Sequence, residues 1–228
     1  MVSIICCTKR QHYMNQVFQN YDHQTWSEKE LIIILNCNKM DIQKWRERAT
    51  LSPQVSVYQL DEDITLGECL NYGIERAKYD YIAKFDDDDY YAHHYIAHNM
   101  DLLCQMKIDV VGKRSVYMYF EDQKILAILK PGKECMFVRH GLKGATLMFK
   151  KTIHRSIPFP NLNLGEDTYF IRKCVNHGYR LYAANKYNYV CVRTAIQAHH
   201  TWNIRNGILL RKSSIVCTTD DYKPHVMP

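Results

Sequence analysis

The sequence predicts an α/β fold: a mostly parallel central sheet with helices on both faces, and a C-terminal half of mixed strands. Three observations predict it. Short apolar, β-branched runs recur through the first half of the chain. Each is followed by a stretch with apolar residues at helical spacing. The fourth run ends directly in four consecutive aspartates, in "YIAKFDDDDYY".

The elements follow in order. "VSIICC" is a buried-strand signal, and "QHYMNQVFQNY" after it spaces Tyr13, Val17 and Tyr21 along one helix face. "ELIIILN" is a second strand, and "MDIQKWRERA" a helix with Ile42 and Trp45 on one side. "QVSVYQL" is a third strand. "TLGECLNYGIERAKY" is a helix whose inner stripe carries Leu66, Leu70, Ile74 and Ala77. "DYIAKF" is the fourth strand. Strands alternating with amphipathic helices call for parallel pairing with helices on both faces.

A helix is expected near 92–106. "DVVGKRSVYMYFEDQKILAILK" then reads as a strand, a turn near Glu121–Gln123 and a second strand. "ECMFVRH" and "GATLMFKK" add two more. "NLNLGEDTYFIRKCVNHGYRLYAA" gives a loop, a helix from about Glu166, a turn at Gly178 and a strand; "YNYVCVRT" is a last strand. The second half reads as an extension of the same sheet. One domain over 1–210 is expected, in two halves (1–106 and 107–210), followed by a tail (211–228).

Composition narrows the class. The 228 residues, 46% hydrophobic and 24% charged, suit one soluble globular domain. The formal charge of +6 permits attraction to anions, but the basic residues are scattered and no nucleic-acid partner is expected. The nine cysteines are odd in number, lack CxxC spacing and sit mostly in apolar runs, as in a reducing cytosol. No secretory leader and no transmembrane run is read, so the expectation is a cytoplasmic protein, with the inner face of a membrane compatible.

The acidic run sits where open α/β sheets bind ligands, beyond the carboxyl end of a strand. In an extended segment alternate residues share a side about 6.6 Å apart. Asp86 and Asp88 can therefore point into one site. Two carboxylates at that distance repel by roughly 2.5 kcal/mol at an effective dielectric near 20. A divalent cation reverses that cost, and oxygen ligands suit Mg²⁺ or Mn²⁺ bound with substrate phosphates. Read alone, the run would serve equally as a solvated turn capping the next helix. Glu166 and Asp167 would likewise be ordinary first-turn acids.

Three stretches in order, "VSIICCTKR", "LGECLNYGIERAKYDYIAKFDDDDYY" and "LGEDTYFIRKCVNHGYRLY", resemble the family 2 glycosyltransferases of the GT-A fold over roughly residues 1–200. The resemblance implies an inverting transfer of sugar from a nucleoside-diphosphate-sugar, with UDP or dTDP as the nucleotide, to an acceptor hydroxyl. Mn²⁺ or Mg²⁺ would be the cofactor, and a glycan, a lipid-linked glycan or a protein the acceptor. Cell-surface polysaccharide or glycoconjugate synthesis would be the setting, with peripheral membrane association compatible. Cys7 and Thr8 would contact the base, with Asp61 or Asp63 helping to hold it. On this resemblance 1–106 would be the nucleotide-binding half and 107–210 the acceptor-binding half. The family's D-x-D motif falls on the run: Asp86 would face ribose or metal, Asp88 would ligate metal, Asp89 matches a third acidic position, and Asp87, at a variable one, is counted with Asp86 among the nucleotide-binding residues. Asp167, with Glu166 beside it, would be the general base.

His200 or its neighbour His199 would reach the metal or the diphosphate. His94 and His98, spaced i, i+4, read as helix surface rather than as a metal pair, and Arg205 is a weaker phosphate candidate. The sequence departs from the family in its third helix. Cys69-Leu70-Asn71 stands where many members carry Ala-Arg-Asn. Asn36, Asn38 and Asp41 replace the usual acidic residues after the second strand. A nucleotidyltransferase is the competing reading, but "CCTKRQH" has Lys9 and Arg10 with no glycine for a phosphate loop. A non-catalytic nucleotide-sugar-binding module is the other.

Overall fold

The structure, a computed structural model, describes residues 1–194 and 204–228. Four strands form its first half: β1 (Val2–Thr8), β2 (Lys29–Leu35), β3 (Val55–Gln59) and β4 (Tyr81–Asp86). Helices α1 (Met14–Asp22), α2 (Ile42–Ala49) and α3 (Leu66–Arg76) connect them. β5 (Tyr90–Tyr91) and α4 (Tyr95–Gln105) follow the aspartates. The second half carries β6 (Val110–Lys113), β7 (Val116–Phe120), β8 (Ile125–Leu129), β9 (Met136–Val138) and β10 (Met148–Lys150). It ends with α5 (Lys151–Ser156), α6 (Glu166–Asn176), β11 (Leu181–Ala184), β12 (Tyr189–Arg193), α7 (Asn206–Arg211) and β13 (Ser213–Thr218).

The main sheet runs β3-β2-β1-β4-β10-β6-β11-β9. β1 to β4 are parallel, so their carboxyl ends lie on one edge. β10 is antiparallel to both β4 and β6, which leaves β6 and β11 running the same way as β4. Strand alternation divides the core. Ile4 and Cys6 of β1 with Leu31 and Ile33 of β2 face Phe18 and Trp45 of α1 and α2. Ile5 and Ile32 point the other way, toward Leu70 and Ile74 of α3 and Phe170 of α6.

The second half is not one continued sheet, as the sequence reading had it. β6 joins the main sheet, but after Arg114 and Ser115 the chain enters a second sheet, β13-β8-β7-β12-β5. Both strands of "DVVGKRSVYMYF" are buried, and the polar Gly112–Ser115 between them is the place where the sheet changes. The stretch read as a tail holds β13, which pairs antiparallel with β8, and Val226, which is buried against Tyr117 and Tyr119. All nine cysteines are free thiols. Among the described residues no helix is long and apolar enough to cross a membrane.

Candidate active site

The parallel edge gathers the loops that the sequence singled out. Thr8 ends β1, and its carbonyl accepts from the Asn36 backbone N–H at 2.8 Å. The Asn36 side chain donates to the Asp61 carbonyl at 2.6 Å. Asp61 and Asp63 are exposed beyond β3, and the Asp61 carboxylate accepts from the Asp63 N–H at 3.1 Å. Cys7 pairs in register with Asp86, so the end of β1 lies directly beside the acidic turn. Burial pushes the Cys7 thiol well up, which keeps it protonated.

The four aspartates occupy four environments. The Asp86 side chain is 38% exposed and takes Lys84 Nζ at 2.6 Å on Oδ1. Its other oxygen has no hydrogen-bond partner among the described residues. The Asp88 side chain is 13% exposed, with Arg10 Nη2 at 3.1 Å. Asp87 is buried: it accepts from the Thr8 hydroxyl and from Nε and Nη2 of Arg10. Asp89 is buried too, and accepts from the Tyr189 hydroxyl and from the Val192 N–H at 3.2 Å. Burial pushes the Asp89 carboxyl up, and Lys143 works against that rise. β4 ends at Asp86 and 87–89 form a turn, in which Asp86 and Asp88 keep part of their surface open while Asp87 and Asp89 are buried. Arg10 spans two of the acids and ties the run to the loop after β1.

Lys84 joins this turn to the second acidic pair. It is buried two residues before Asp86, on the same side of β4. Burial alone would lower its pKa, but Asp86, then Glu166 and Asp167, outweigh it and hold the ammonium above the ordinary lysine value. Glu166 and Asp167 open α6 behind Gly165, whose φ of 83° is the left-handed conformation that glycine adopts without strain. Glu166 is buried, and burial pushes its carboxyl up while Lys84 works against the rise. Asp167 is half-exposed; its Oδ1 accepts from the Thr168 N–H at 2.6 Å. Its Oδ2 lies against Gly144, so close that a Cβ at 144 could not fit.

Further ties hold the surroundings of the two acidic segments. The Tyr91 hydroxyl accepts from the Asp86 N–H and donates to the Ala145 carbonyl, each at 2.7 Å. Tyr91 itself stacks on Phe85 with ring centroids 3.7 Å apart. Asn71, from the triplet that departs from the family pattern, clamps the loop before α6. It donates to the Phe159 carbonyl and accepts the Phe159 N–H, both at 2.9 Å. The Asn163 side chain caps the Leu66 N–H at the start of α3 at 2.9 Å.

Sequence reasoning missed Lys84, Lys143 and Tyr91. A lysine inside the apolar run "YIAKF", two residues before Asp86, was the signal for the first. Lys143 has no local signal, since its neighbours Cys191, Asp89 and Asp86 come from distant stretches. Burial works against its charge, yet together they hold it above the ordinary lysine value. His199 and His200 lie outside the described residues. His94 is exposed, its Nδ1 3.1 Å from Thr25 Oγ1. His98 is half-buried rather than a surface residue, with Nε2 shut off from solvent. Arg205 is exposed before α7. Among the described residues no three His, Cys, Asp or Glu side chains form a closed metal site. The donor set still fits a cation bound jointly with a ligand, because an Mg²⁺-type site uses one or two carboxylates and completes its shell with phosphate and water.

Residues 3–164 match the family described as Glycosyl transferase family 2. No curated protein matches the chain. Among solved structures, S. aureus TarS 1-349 in complex with UDP-GlcNAc is 15% identical. It aligns at a TM-score of 0.67 over 84% of this chain and 58% of that one. The mannosyltransferase PcManGT from Pyrobaculum calidifontis, in complex with GDP-Man and Mn²⁺, is 18% identical. Its TM-score is 0.64 over 92% of this chain and 62% of that one. At these identities the likeness establishes the fold, and this chain spans less than two thirds of either neighbour.

Proposed function

The chain belongs to glycosyl transferase family 2, and we propose that it moves a sugar from a nucleoside-diphosphate-sugar, UDP-linked in the first instance, to an acceptor hydroxyl with inversion. The observation that carries this reading is the charge cluster at the end of β4, where Lys84 pairs with Asp86 and is also held charged by Glu166 and Asp167.

The donor half is built by β1 to β4. Thr8 and Asp61 stand on adjacent loops where a base and ribose would lie, with Cys7 and Asp63 beside them. Asp86 and Asp88 are the carboxylates turned toward solvent, and they would hold the cation, Mn²⁺ or Mg²⁺. When bound, that cation neutralises charge on the departing diphosphate. Asp87 and Asp89 are positioning residues, fixed by Arg10, Thr8 and Tyr189. Lys84 and Lys143 add fixed positive charge at the same edge.

Asp167 is the base. It is the half-exposed member of its pair, whereas Glu166 is buried toward Lys84. The acceptor oxygen attacks the anomeric carbon, the bond from that carbon to the diphosphate oxygen breaks, and the acceptor proton passes to Asp167. No covalent intermediate on the protein is required.

Asp167→Asn tests the assignment. Transfer from UDP-sugars to a panel of glycan acceptors should fall by about a thousandfold, a general-base effect. UDP affinity should stay within about threefold of wild type, a change below 1 kcal/mol. Near-normal turnover would remove Asp167 from the mechanism. Cell-surface polysaccharide or glycoconjugate synthesis is the setting that this activity fits.

A further inference from the structure

The basic residues that look scattered in sequence converge on the acceptor side. Arg114 follows β6, and its Nη2 lies 3.3 Å from Nε2 of His140. Gly141, at φ 83°, lets the chain turn flat against that guanidinium; a Cβ there would sit 3.2 Å from Arg114 Nε. Arg114 Nε is itself buried and has no partner among the described residues. Gly141 covers Nε, so a ligand would meet the Nη end of the fork, which has His140 beside it and no carboxylate among the described residues.

Neighbouring loops bring more charge. The Ser115 hydroxyl donates to the Lys130 carbonyl at 2.6 Å and accepts the Lys133 N–H at 2.9 Å, which folds that turn beside Arg114. Lys130, Lys133 and Arg139 are exposed and form no ion pair among the described residues. The nearby acid, Glu134, is taken by Lys186 at 3.2 Å. The rim is therefore left net positive. It also stands close to the proposed base. Four residues lead from His140 to Gly144, a reach of at most about 14 Å, and Gly144 abuts Asp167.

We propose that the acceptor carries a phosphate-class anion near its reacting hydroxyl, and that Arg114 and His140 receive it. The inference takes its ligand to be the acceptor from the transferase reading, while the anion site stands on its own geometry. An arginine fork offers paired donors to phosphate oxygens, which gives both binding and orientation. The anion could belong to a soluble phosphorylated glycan or to a lipid headgroup. Phe137 and Met136, exposed on β9, lie on the strand that runs into this rim.

The test needs neither nucleotide nor turnover, so its result and that of the transferase assay can fail separately. The full chain is titrated by NMR with glycerol 3-phosphate and with glycerol. It is also sedimented with phosphatidylglycerol vesicles and with phosphatidylcholine vesicles. Wild type should bind the phosphate probe and not glycerol. Arg114→Ala and His140→Ala should each weaken that binding about tenfold, as for loss of a charge-assisted hydrogen bond. Arg114→Lys keeps the charge and should recover only part of the loss; should Arg114→Ala not fold, the lysine and histidine variants carry the test. Lys124→Ala, which removes a lysine paired with Asp220, should change nothing. Binding to phosphatidylglycerol lost in the same variants assigns the anion to a lipid headgroup; binding of the soluble probe alone assigns it to a soluble glycan. Equal binding of glycerol and glycerol 3-phosphate, or variants that bind phosphate as wild type does, would overturn the proposal.

Discussion

Lys84 Nζ lies 2.6 Å from Asp86 Oδ1, at the last turn of β4 toward the crevice. The lysine side chain is 6% exposed and the aspartate 38%, so a buried cation is matched by a carboxylate that still faces solvent. This geometry leaves Asp86 available to a second cation while Lys84 also faces Glu166 and Asp167.

Replacing Lys84 by Met should therefore destabilise the fold. A fully buried pair broken on one side costs about 3–5 kcal/mol. Solvent around Asp86 screens part of that, so about 1–3 kcal/mol is expected. Urea unfolding of Lys84→Met checks it. A loss below about 0.5 kcal/mol, the scale of ordinary surface changes, would mean that Lys84 is not the residue balancing these acids.

Arg10 and Asp87 should be coupled. Among the described residues, Arg10→Met leaves the buried Asp87 with the Thr8 hydroxyl as its one side-chain donor. A double-mutant cycle with Asp87→Asn should give an interaction energy of about 2 kcal/mol, within the range for contacting charged groups. Nucleotide affinity should fall in both single variants, since either one releases the acidic turn from the loop after β1. Additive single effects would place the two residues in separate roles.

Gly144→Ala should damage transfer and also cost stability. The added Cβ overlaps Asp167 Oδ2 and comes within 2.7 Å of its Cγ and 2.8 Å of its Cβ, so the whole side chain must move from its place. Displacement of a catalytic group by about 1 Å can cost on the order of a hundredfold in rate. Steady-state kinetics should show a fall in kcat with little change in donor affinity. Unchanged kcat would mean that Asp167 needs no fixed position.

Stability should rise with pH through Lys113. This lysine is wholly buried, its Nζ donating to the Asn185 carbonyl at 2.6 Å. Burial pulls its pKa down to about 7, below the unfolded value near 10.4. Between those two values the native state binds fewer protons than the unfolded chain, so the unfolding free energy increases as pH rises. Guanidinium unfolding at pH 7 and pH 9.5 should show that increase in wild type and not in Lys113→Met. Parallel pH slopes for the two proteins would contradict it.

The first half of the fold was legible because each strand is a short, mostly apolar run and each helix shows one apolar stripe. The place of the acidic run at the end of the fourth strand was legible, but the chain turns at 87–89 instead of staying extended, so the exposure of each aspartate is set by its partners and not by strand alternation. The second sheet was hidden although Gly112-Lys113-Arg114-Ser115 marks the bend, because a polar break of four residues does not say whether the strand after it returns to the same sheet, and Lys113 and Ser115 are themselves buried. β13 was read as a tail because its residues are mostly exposed, Ile215 at 62%, and an edge strand of that kind has no burial period. The cations of the crevice were the hardest to foresee. Lys143 meets Asp89 and Cys191 only once three distant stretches are folded together.

The central claim is that Asp86 and Asp88 bind a nucleoside diphosphate through a divalent cation. Isothermal titration of UDP, GDP and dTDP, with and without Mn²⁺, against wild type and Asp88→Ala tests it most directly. Binding of UDP that requires Mn²⁺, and that Asp88→Ala weakens by at least about a hundredfold, or roughly 2.7 kcal/mol, is the predicted result. Failure of every nucleotide to bind under any metal condition, or equal binding by the variant, would return the four aspartates to a solvated turn ahead of α4.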